Sequence, residues 1–263
     1  MMKFDFQRYL AAKRTVDDLS LNRPVWEALT AAIEPEPRVV EVACGTGTML
    51  GRMRARGLLP ETASYLGFDA DCDHIAVAGT AYGGPHVRFE CADLFDRPTS
   101  EACSLLVAAA FLDLVDLDRA LPQLLGYLES GGLGYFPLNF DGLTVFEPPH
   151  PLDDAMIAAY HASMDARLTG GQSRTGRRLF QALPEAGFEI LAAGASDWVV
   201  FAGPDKRYPA DEAYFLRYIL HFFEGSCEGI AGLDGWLAAR TAQIEAGELV
   251  YIAHQVDFLV RAG

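Results

Sequence analysis

The chain has 263 residues, 51% of them hydrophobic and 22% charged, with 36 acidic against 21 basic side chains and a formal charge of −15. That is enough chain for one large domain with additions. The acidic excess disfavours a nucleic-acid substrate, because a phosphate backbone is held by basic surface, and no apolar run reaches the roughly 20 residues of a membrane span.

Residues 4–34 read as helical, with Phe6, Tyr9 and Leu10 on one face and Val25, Trp26, Leu29 and Ile33 on another. A polar stretch from Lys13 to Arg23 separates the two faces, and Pro35 and Pro37 close the segment. The N-terminal residues lack the apolar core of a signal peptide, so the expectation is a cytoplasmic protein.

The run Arg38-Val-Val-Glu-Val-Ala-Cys-Gly-Thr-Gly-Thr48 is a β-branched strand ending in a glycine turn, with a helix pattern from Met49 to Arg56. Strand, turn and helix in that order present backbone N–H groups to a ligand at the carboxyl edge of a parallel sheet. Glu41 sits near the strand end. A phosphate loop needs a lysine that is absent here, and Leu50 stands where a dinucleotide fingerprint needs its third glycine.

Three more units follow. Ser64–Asp71 is a strand ending at Asp69, 28 positions after Glu41, with a helix at 72–80. His86–Phe95 is a strand ending at Asp93 and Leu94. Cys103–Ala110 is a continuous apolar run, the mark of a strand buried on both faces, with Asp113 just beyond it. A helix over 118–129 stops at Gly131-Gly132, and a strand over 133–138 delivers Asn139 and Asp141 to the same edge. Strands alternating with helices give right-handed crossovers and gather the strand ends on one side.

Residues 148–171 and 204–246 break this alternation with helices at 152–168, 210–224 and 233–246. Between them lie a helix over 173–186, a strand starting at Phe188, and Asp197–Phe201, which continues or pairs with that strand. A last strand covers 249–260. The basic group Arg174, Arg177 and Arg178 reads as a solvated helix face. The five cysteines form no C-x-x-C pair and the histidines no metal spacing. They are expected to be buried small hydrophobes, with no disulfide and no metal.

The run Glu-x-Ala-x-Gly-x-Gly at 41–47, with acids at the next two strand ends, resembles the opening motifs of class I S-adenosylmethionine (SAM) dependent methyltransferases. Most members have glycine where Ala43 stands. The resemblance covers 38–202 by motif and the last strand by pattern. It implies an α/β fold: a seven-stranded, mostly parallel, doubly wound sheet of order 3-2-1-4-5-7-6 with the last strand antiparallel. Residues 1–37 become an N-terminal helical lid, 38–147 the cofactor-binding core, and 148–171 and 204–246 helical caps on a single domain. It also implies a SAM site. Glu41, Ala43, Gly45, Thr46 and Gly47 form its turn, Asp69 and Ala70 lie at the ribose, and Asp93 and Leu94 at the adenine. Ala109 lies at the fourth strand end, and Arg14, ahead of Arg23, pairs with the carboxylate.

The implied function is methyl transfer to a small-molecule acceptor, with secondary metabolism as one setting and no nucleic acid or membrane involved; monomer and homodimer both stay open. On the acceptor side, Asp113 and His221 are the base candidates, with His161 also considered and His254 read as structural. Asn139, Asp141, Tyr214 and Tyr218 are the substrate candidates. Tyr214, Arg217, Tyr218 and His221 share one helix face, read either as a surface or dimer stripe or as the roof of the acceptor pocket. Two other readings stay open: a SAM-fold protein that binds SAM without methyl transfer, and a nicotinamide-dependent oxidoreductase, against which Leu50 stands.

Overall fold

The computed structural model describes residues 4–99 and 102–263. Helices α1 (Phe6–Ser20) and α2 (Arg23–Ala32) open the chain. Asp5 caps the first by accepting from the Arg8 N–H, and Asn22 caps the second by accepting from the Val25 N–H, with Pro24 in the first turn. Strand β1 (Arg38–Val42), helix α3 (Thr48–Ala55), strand β2 (Ser64–Asp69), helix α4 (Cys72–Tyr82), and strands β3 (Val87–Cys91) and β4 (Cys103–Val107) follow. A short 3-10 turn at Leu112–Leu114 leads to α5 (Leu117–Leu125) and β5 (Leu128–Glu147). The rest is α6 (Asp153–Asp165), α7 (Thr175–Glu185), β6 (Phe188–Ala195), β7 (Trp198–Val200), α8 (Glu212–Ser226), α9 (Leu233–Glu245) and β8 (Val250–Ala262). Among the described residues no helix is long and apolar enough to cross a membrane.

The sheet runs β3-β2-β1-β4-β5-β8-β6, parallel through β5, with β8 antiparallel between β5 and β6. This is the expected order, with the last strand in its expected place. Alternating residues feed two cores. Val40, Val42 and Leu106 meet α5 and α7 on one face, and Val39, Leu105 and Val107 meet α2 and α3 on the other.

Asp197–Phe201 takes the first of its two expected forms: β7 continues β6 along β8 in the same register, Ala195 opposite Val256 and Trp198 opposite Ala253. The structure departs from the sequence reading in one element of the sheet: β5 does not release the chain at Asn139. It runs on to Glu147, still paired with β8. Register shifts after Phe136 and Phe140, with Leu138 and Gly142 at positive φ, bend the ribbon without ending it. The upper parts of β5, β8 and β7 thus stand beyond the parallel strands, and α6, α8 and α9 pack there in a third core around Phe146, Phe215, Phe223 and Trp236.

The cysteine expectation is corrected as well. Cys44, Cys103 and Cys227 are buried thiols, but Cys72 and Cys91 are exposed and joined in a disulfide, with Cα atoms 5.0 Å apart. The sheet explains the pairing. Asp69 and Cys91 are register partners on β2 and β3, and α4 starts three residues beyond Asp69, which brings Cys72 beside the end of β3. The 19-residue separation carries no local signature of this.

Candidate active site

A cavity of about 540 Å³ opens where the carboxyl ends of β1 to β4 meet α1, α6 and α8. Its floor is the predicted turn. Ala43, Gly45 and Gly47 all have positive φ, at 52°, 52° and 78°. A β-carbon on Gly45 would meet only Leu10 Cδ1, at 4.0 Å, so this position opens onto the cavity. Gly47 does not line it. A β-carbon there would press on Tyr82 at 2.9 Å, so this glycine serves the packing of α3 on α4.

Asp69 organises the neighbouring loop. Its Oδ2 accepts from the Gly45 N–H at 2.8 Å and its Oδ1 from the Asp71 N–H at 2.9 Å. Asp71 in turn caps α4 through the Asp73 and His74 N–H groups. Asp93 is exposed and holds the Phe95 N–H at 2.8 Å, while Leu94 is buried beside it. Glu41, Ala43, Gly45, Thr46, Asp69, Ala70, Asp93, Leu94 and Ala109 all line the cavity.

Glu41 is only 2% exposed and accepts the Tyr65 hydroxyl. Burial penalises its charge and pushes the carboxyl up to about 8, against the opposing Tyr65 hydrogen bond and Arg52 charge.

Helix α1 covers the floor with one face: Phe6, Tyr9, Leu10, Lys13 and Asp17. Lys13 Nζ lies 3.0 Å from Asp17, which also accepts the Trp198 indole N–H at 3.0 Å. Arg14 is not brought in. It points away from this face, 3.8 Å from Asp18, with its side chain half exposed. Arg52 of α3 lines the cavity instead. It is buried, ion-paired with Asp18, and its Nη2 has no hydrogen-bond partner. Sequence reading passed over it because a basic residue in the last turn of a helix is commonplace.

The candidates above the floor separate sharply. Asp113 lines the cavity, buried, with Oδ1 unpartnered. Burial pushes its carboxyl up to about 6, against its own backbone N–H and the charges of Arg167 and Lys13. The other candidates are not brought to the cavity. Asn139 is fully buried and donates to the Phe136 and Val256 carbonyls within the bulge. Asp141 accepts the Arg177 N–H at 2.7 Å and pairs with its guanidinium, fixing the first turn of α7. His161 bonds Thr144 at 3.0 Å.

The stripe on α8 faces neither solvent nor the cavity alone: it docks the N-terminal segment. Tyr9 stacks on Tyr218 at 4.5 Å between centroids, the Asp5 N–H donates to Tyr214 Oη at 2.8 Å, and Phe4 stacks on His221 at 4.3 Å. His221 is also 3.0 Å from Glu224, in a separate depression of about 230 Å³. The α8 residues that do face the cavity are Ile219, Phe222 and Ser226, one helical edge further round.

A sheet of this order with a glycine turn and strand-end acids around one cavity defines a Rossmann-like methyltransferase fold. Residues 39–132 match a family model described as a methyltransferase domain. That match lies on the strands and turns that form the floor of the cavity. No curated protein sequence matches it. Three solved structures share its fold. A protein of Bacillus halodurans C-125 assigned as a methyltransferase is 14% identical, covering 91% of this chain and 99% of its own, at a TM-score of 0.57. A SAM-dependent methyltransferase of Thiobacillus denitrificans, in complex with S-adenosylhomocysteine, is 17% identical over the whole of both chains, at 0.55. A geranyl diphosphate C-methyltransferase of Streptomyces coelicolor A3(2) is 13% identical, covering 97% of this chain and 80% of its own, at 0.51.

Proposed function

We propose that this protein methylates a small molecule with SAM, the two held end to end in the cavity between the β1–β4 turns and the helical caps. The observation that carries the reading is the make-up of that single cavity. Its floor combines the open Gly45 turn with Glu41, Asp69 and Asp93. Its upper walls are apolar, with Phe111, Phe140, Met164 and Phe222 among them.

The residues fit SAM. Gly45 leaves room for a ligand against the main chain. Asp69 retains acceptor capacity for two ribose hydroxyls beyond the backbone bonds it already makes. Arg52 Nη2, buried and unpartnered, and the Lys13 ammonium are suited to the carboxylate in the role first given to Arg14. Glu41 answers the positive charge. SAM supplies an activated methyl group, so the chain's task is alignment and exclusion of water. Helix α1 does the second as a lid, and acceptors sized to the cavity fit better than a polymer.

Calorimetry tests the cofactor half. SAM and S-adenosylhomocysteine should bind. Asp69→Ala should weaken binding by roughly 1–3 kcal/mol, through loss of a charged hydrogen-bonding group and of the loop it braces. Arg52→Met should weaken it comparably, while Arg14→Met leaves it unchanged. Binding of NADH without binding of SAM would sink the reading. Methyl-labelled SAM incubated with a cell extract tests the transfer. Label that reaches no acceptor, despite tight SAM binding, would favour a non-methylating SAM protein.

A further inference from the structure

Two buried polar atoms in the upper cavity have no partner in the protein: Asp113 Oδ1 and Arg167 Nη1. One is an acceptor and the other a donor, and they are not paired with each other. Burying either without a hydrogen bond is costly.

The backbone sets the segments that carry them side by side. Arg167 follows α6, in a loop that lies against the loop after β4. The Gln172 N–H donates to the Asp113 carbonyl at 3.2 Å, the Asp116 N–H donates to the Thr169 carbonyl at 2.9 Å, and Val115 bridges to Gly170. Gly170 and Gly171 permit this approach. A β-carbon on Gly171 would lie 2.6 Å from the Asp113 carbonyl oxygen, and one on Gly170 would lie 2.6 Å from Asp116 Cβ. The charged or titratable groups bearing on Asp113 are Arg167 from this loop, Lys13 from α1 and Tyr160 from α6. Around the pair the walls are apolar: Phe111, Leu114, Val115, Phe140 and Met164.

Resting on the methyltransferase reading above, we propose that the acceptor is a neutral, apolar ring compound with a hydroxyl beside a carbonyl, the hydroxyl donating to Asp113 and the carbonyl accepting from Arg167. Such a molecule satisfies both orphan atoms at once. It also adds no charge where a carboxylate and a guanidinium already balance, in a cavity lined by five carboxyl groups (Asp17, Glu41, Asp69, Asp93, Asp113) and, besides His74, three basic ones (Lys13, Arg52, Arg167). The carbonyl held by Arg167 gives up its internal hydrogen bond, which turns the hydroxyl proton toward Asp113.

In the transfer, the hydroxyl proton passes to the Asp113 carboxylate. The oxygen's electron pair forms the new O–C bond to the methyl carbon while the C–S bond breaks. The former C–S bonding pair stays on sulfur, converting sulfonium to thioether. The product is a methyl ether, and Asp113 returns its proton to water after release.

The test uses the full chain saturated with S-adenosylhomocysteine, titrated with 2-acetyl-1-naphthol, 1-naphthol, 2-acetonaphthone and the anionic 1-hydroxy-2-naphthoate. The hydroxyketone should bind at least about tenfold tighter than the two compounds lacking one group, as expected for satisfying a buried polar atom. It should also bind more tightly than the acid. Arg167→Met should abolish its advantage over 1-naphthol while leaving 1-naphthol itself within about threefold. Asp113→Asn should still bind S-adenosylhomocysteine but transfer label from methyl-labelled SAM to the hydroxyketone at least about 100-fold more slowly, the usual scale of lost general-base catalysis. Equal binding of all four compounds, tighter binding of the acid, or no binding by any of them to the S-adenosylhomocysteine complex overturns the proposal and leaves the methyltransferase reading standing. Failure of S-adenosylhomocysteine to bind the wild-type chain overturns both.

Discussion

Ala43 and Glu41 show how far single residues could be read in advance. Ala43 could be read only as a replacement of the usual glycine, and the structure shows why glycine is usual there: Ala43 sits at φ 52°, in the left-handed region. An alanine there costs about 1–2 kcal/mol in backbone strain, which a methyl-sized side chain keeps tolerable. Glu41 was legible as a strand-end acid, but its protonation was not, because that depends on how completely the fold dries it. A carboxyl pushed up to about 8 by burial is mostly protonated at pH 7 in the ligand-free protein. The sign for stability follows. A raised carboxyl costs nothing below the ordinary carboxylate range, and its burial destabilises the fold increasingly as pH rises from there toward 8. A cationic ligand in the same cavity favours the ionised form, so SAM should bind with release of a proton, and its affinity should rise with pH up to about 8, by less than tenfold per pH unit. Calorimetry at pH 7 in buffers of different ionisation enthalpy reads that proton directly. Glu41→Gln should remove the part of it owed to Glu41. Identical proton release by wild type and variant would mean that Glu41 is already ionised or does not sense the cofactor.

At the scale of elements, the strands from β1 to β4 were legible because each is a local pattern: an apolar run, then a turn residue or an acid. The same locality put the strand-end residues on the cavity floor, where we propose the cofactor sits, since a residue at a strand end is placed by the strand. The upper cavity, where we propose the acceptor binds, was not legible, because it is made by juxtaposition across the chain. Asp113 could be nominated from its position, but Arg167 acquires meaning only when its loop docks beside it. His221 and the tyrosines of α8 shared a helical face as expected, yet which partner that face meets was decided by α1, some 200 residues earlier. β5 outran its predicted end because a strand with bulges and Gly142 resembles, residue by residue, a strand that has stopped. The Cys72–Cys91 disulfide is the same kind of omission, visible only in the register of β2 on β3. In the chain-entropy model a closed loop of this size stabilises by up to about 3 kcal/mol. Urea unfolding of the wild-type chain should therefore shift to lower denaturant on reduction, whereas Cys91→Ser should be indifferent to reductant. Alkylation with mass spectrometry before reduction should find three free thiols. Five free thiols, or coincident unfolding curves with and without reductant, would remove the disulfide from the account.

Across the whole molecule, the caps are not appendages, because β5 and β8 pass through both the sheet core and the cap core. The cap is locked to them by Arg240, fully buried on α9. Its guanidinium pairs with Asp153 at the start of α6, donates to the Pro148 carbonyl at 2.7 Å just past β5, and donates to Gln243 at 2.7 Å. The Trp236 indole N–H donates to the same Asp153 at 2.8 Å. Burial opposes ionisation of Asp153, but these bonds outweigh it and hold the carboxyl below its usual value. Its contribution is therefore fully present above the ordinary carboxylate range and is lost as pH falls through the depressed value. Removing one partner of a buried pair strands the other, so Arg240→Met should cost roughly 3–5 kcal/mol. The continuity of the two strands determines how that loss is distributed. If cap and sheet share one cooperative unit, hydrogen exchange in Arg240→Met should speed up together for β1 and β2 of the sheet and for α8 and α9 of the cap, and circular dichroism and tryptophan fluorescence should report one midpoint. Loss of protection confined to 148–171 and 204–246, with the sheet as slow as in wild type, would make the cap a separately folding layer. The acceptor cavity would then be assembled by a local equilibrium, and the same variant would weaken acceptor binding far more than SAM binding.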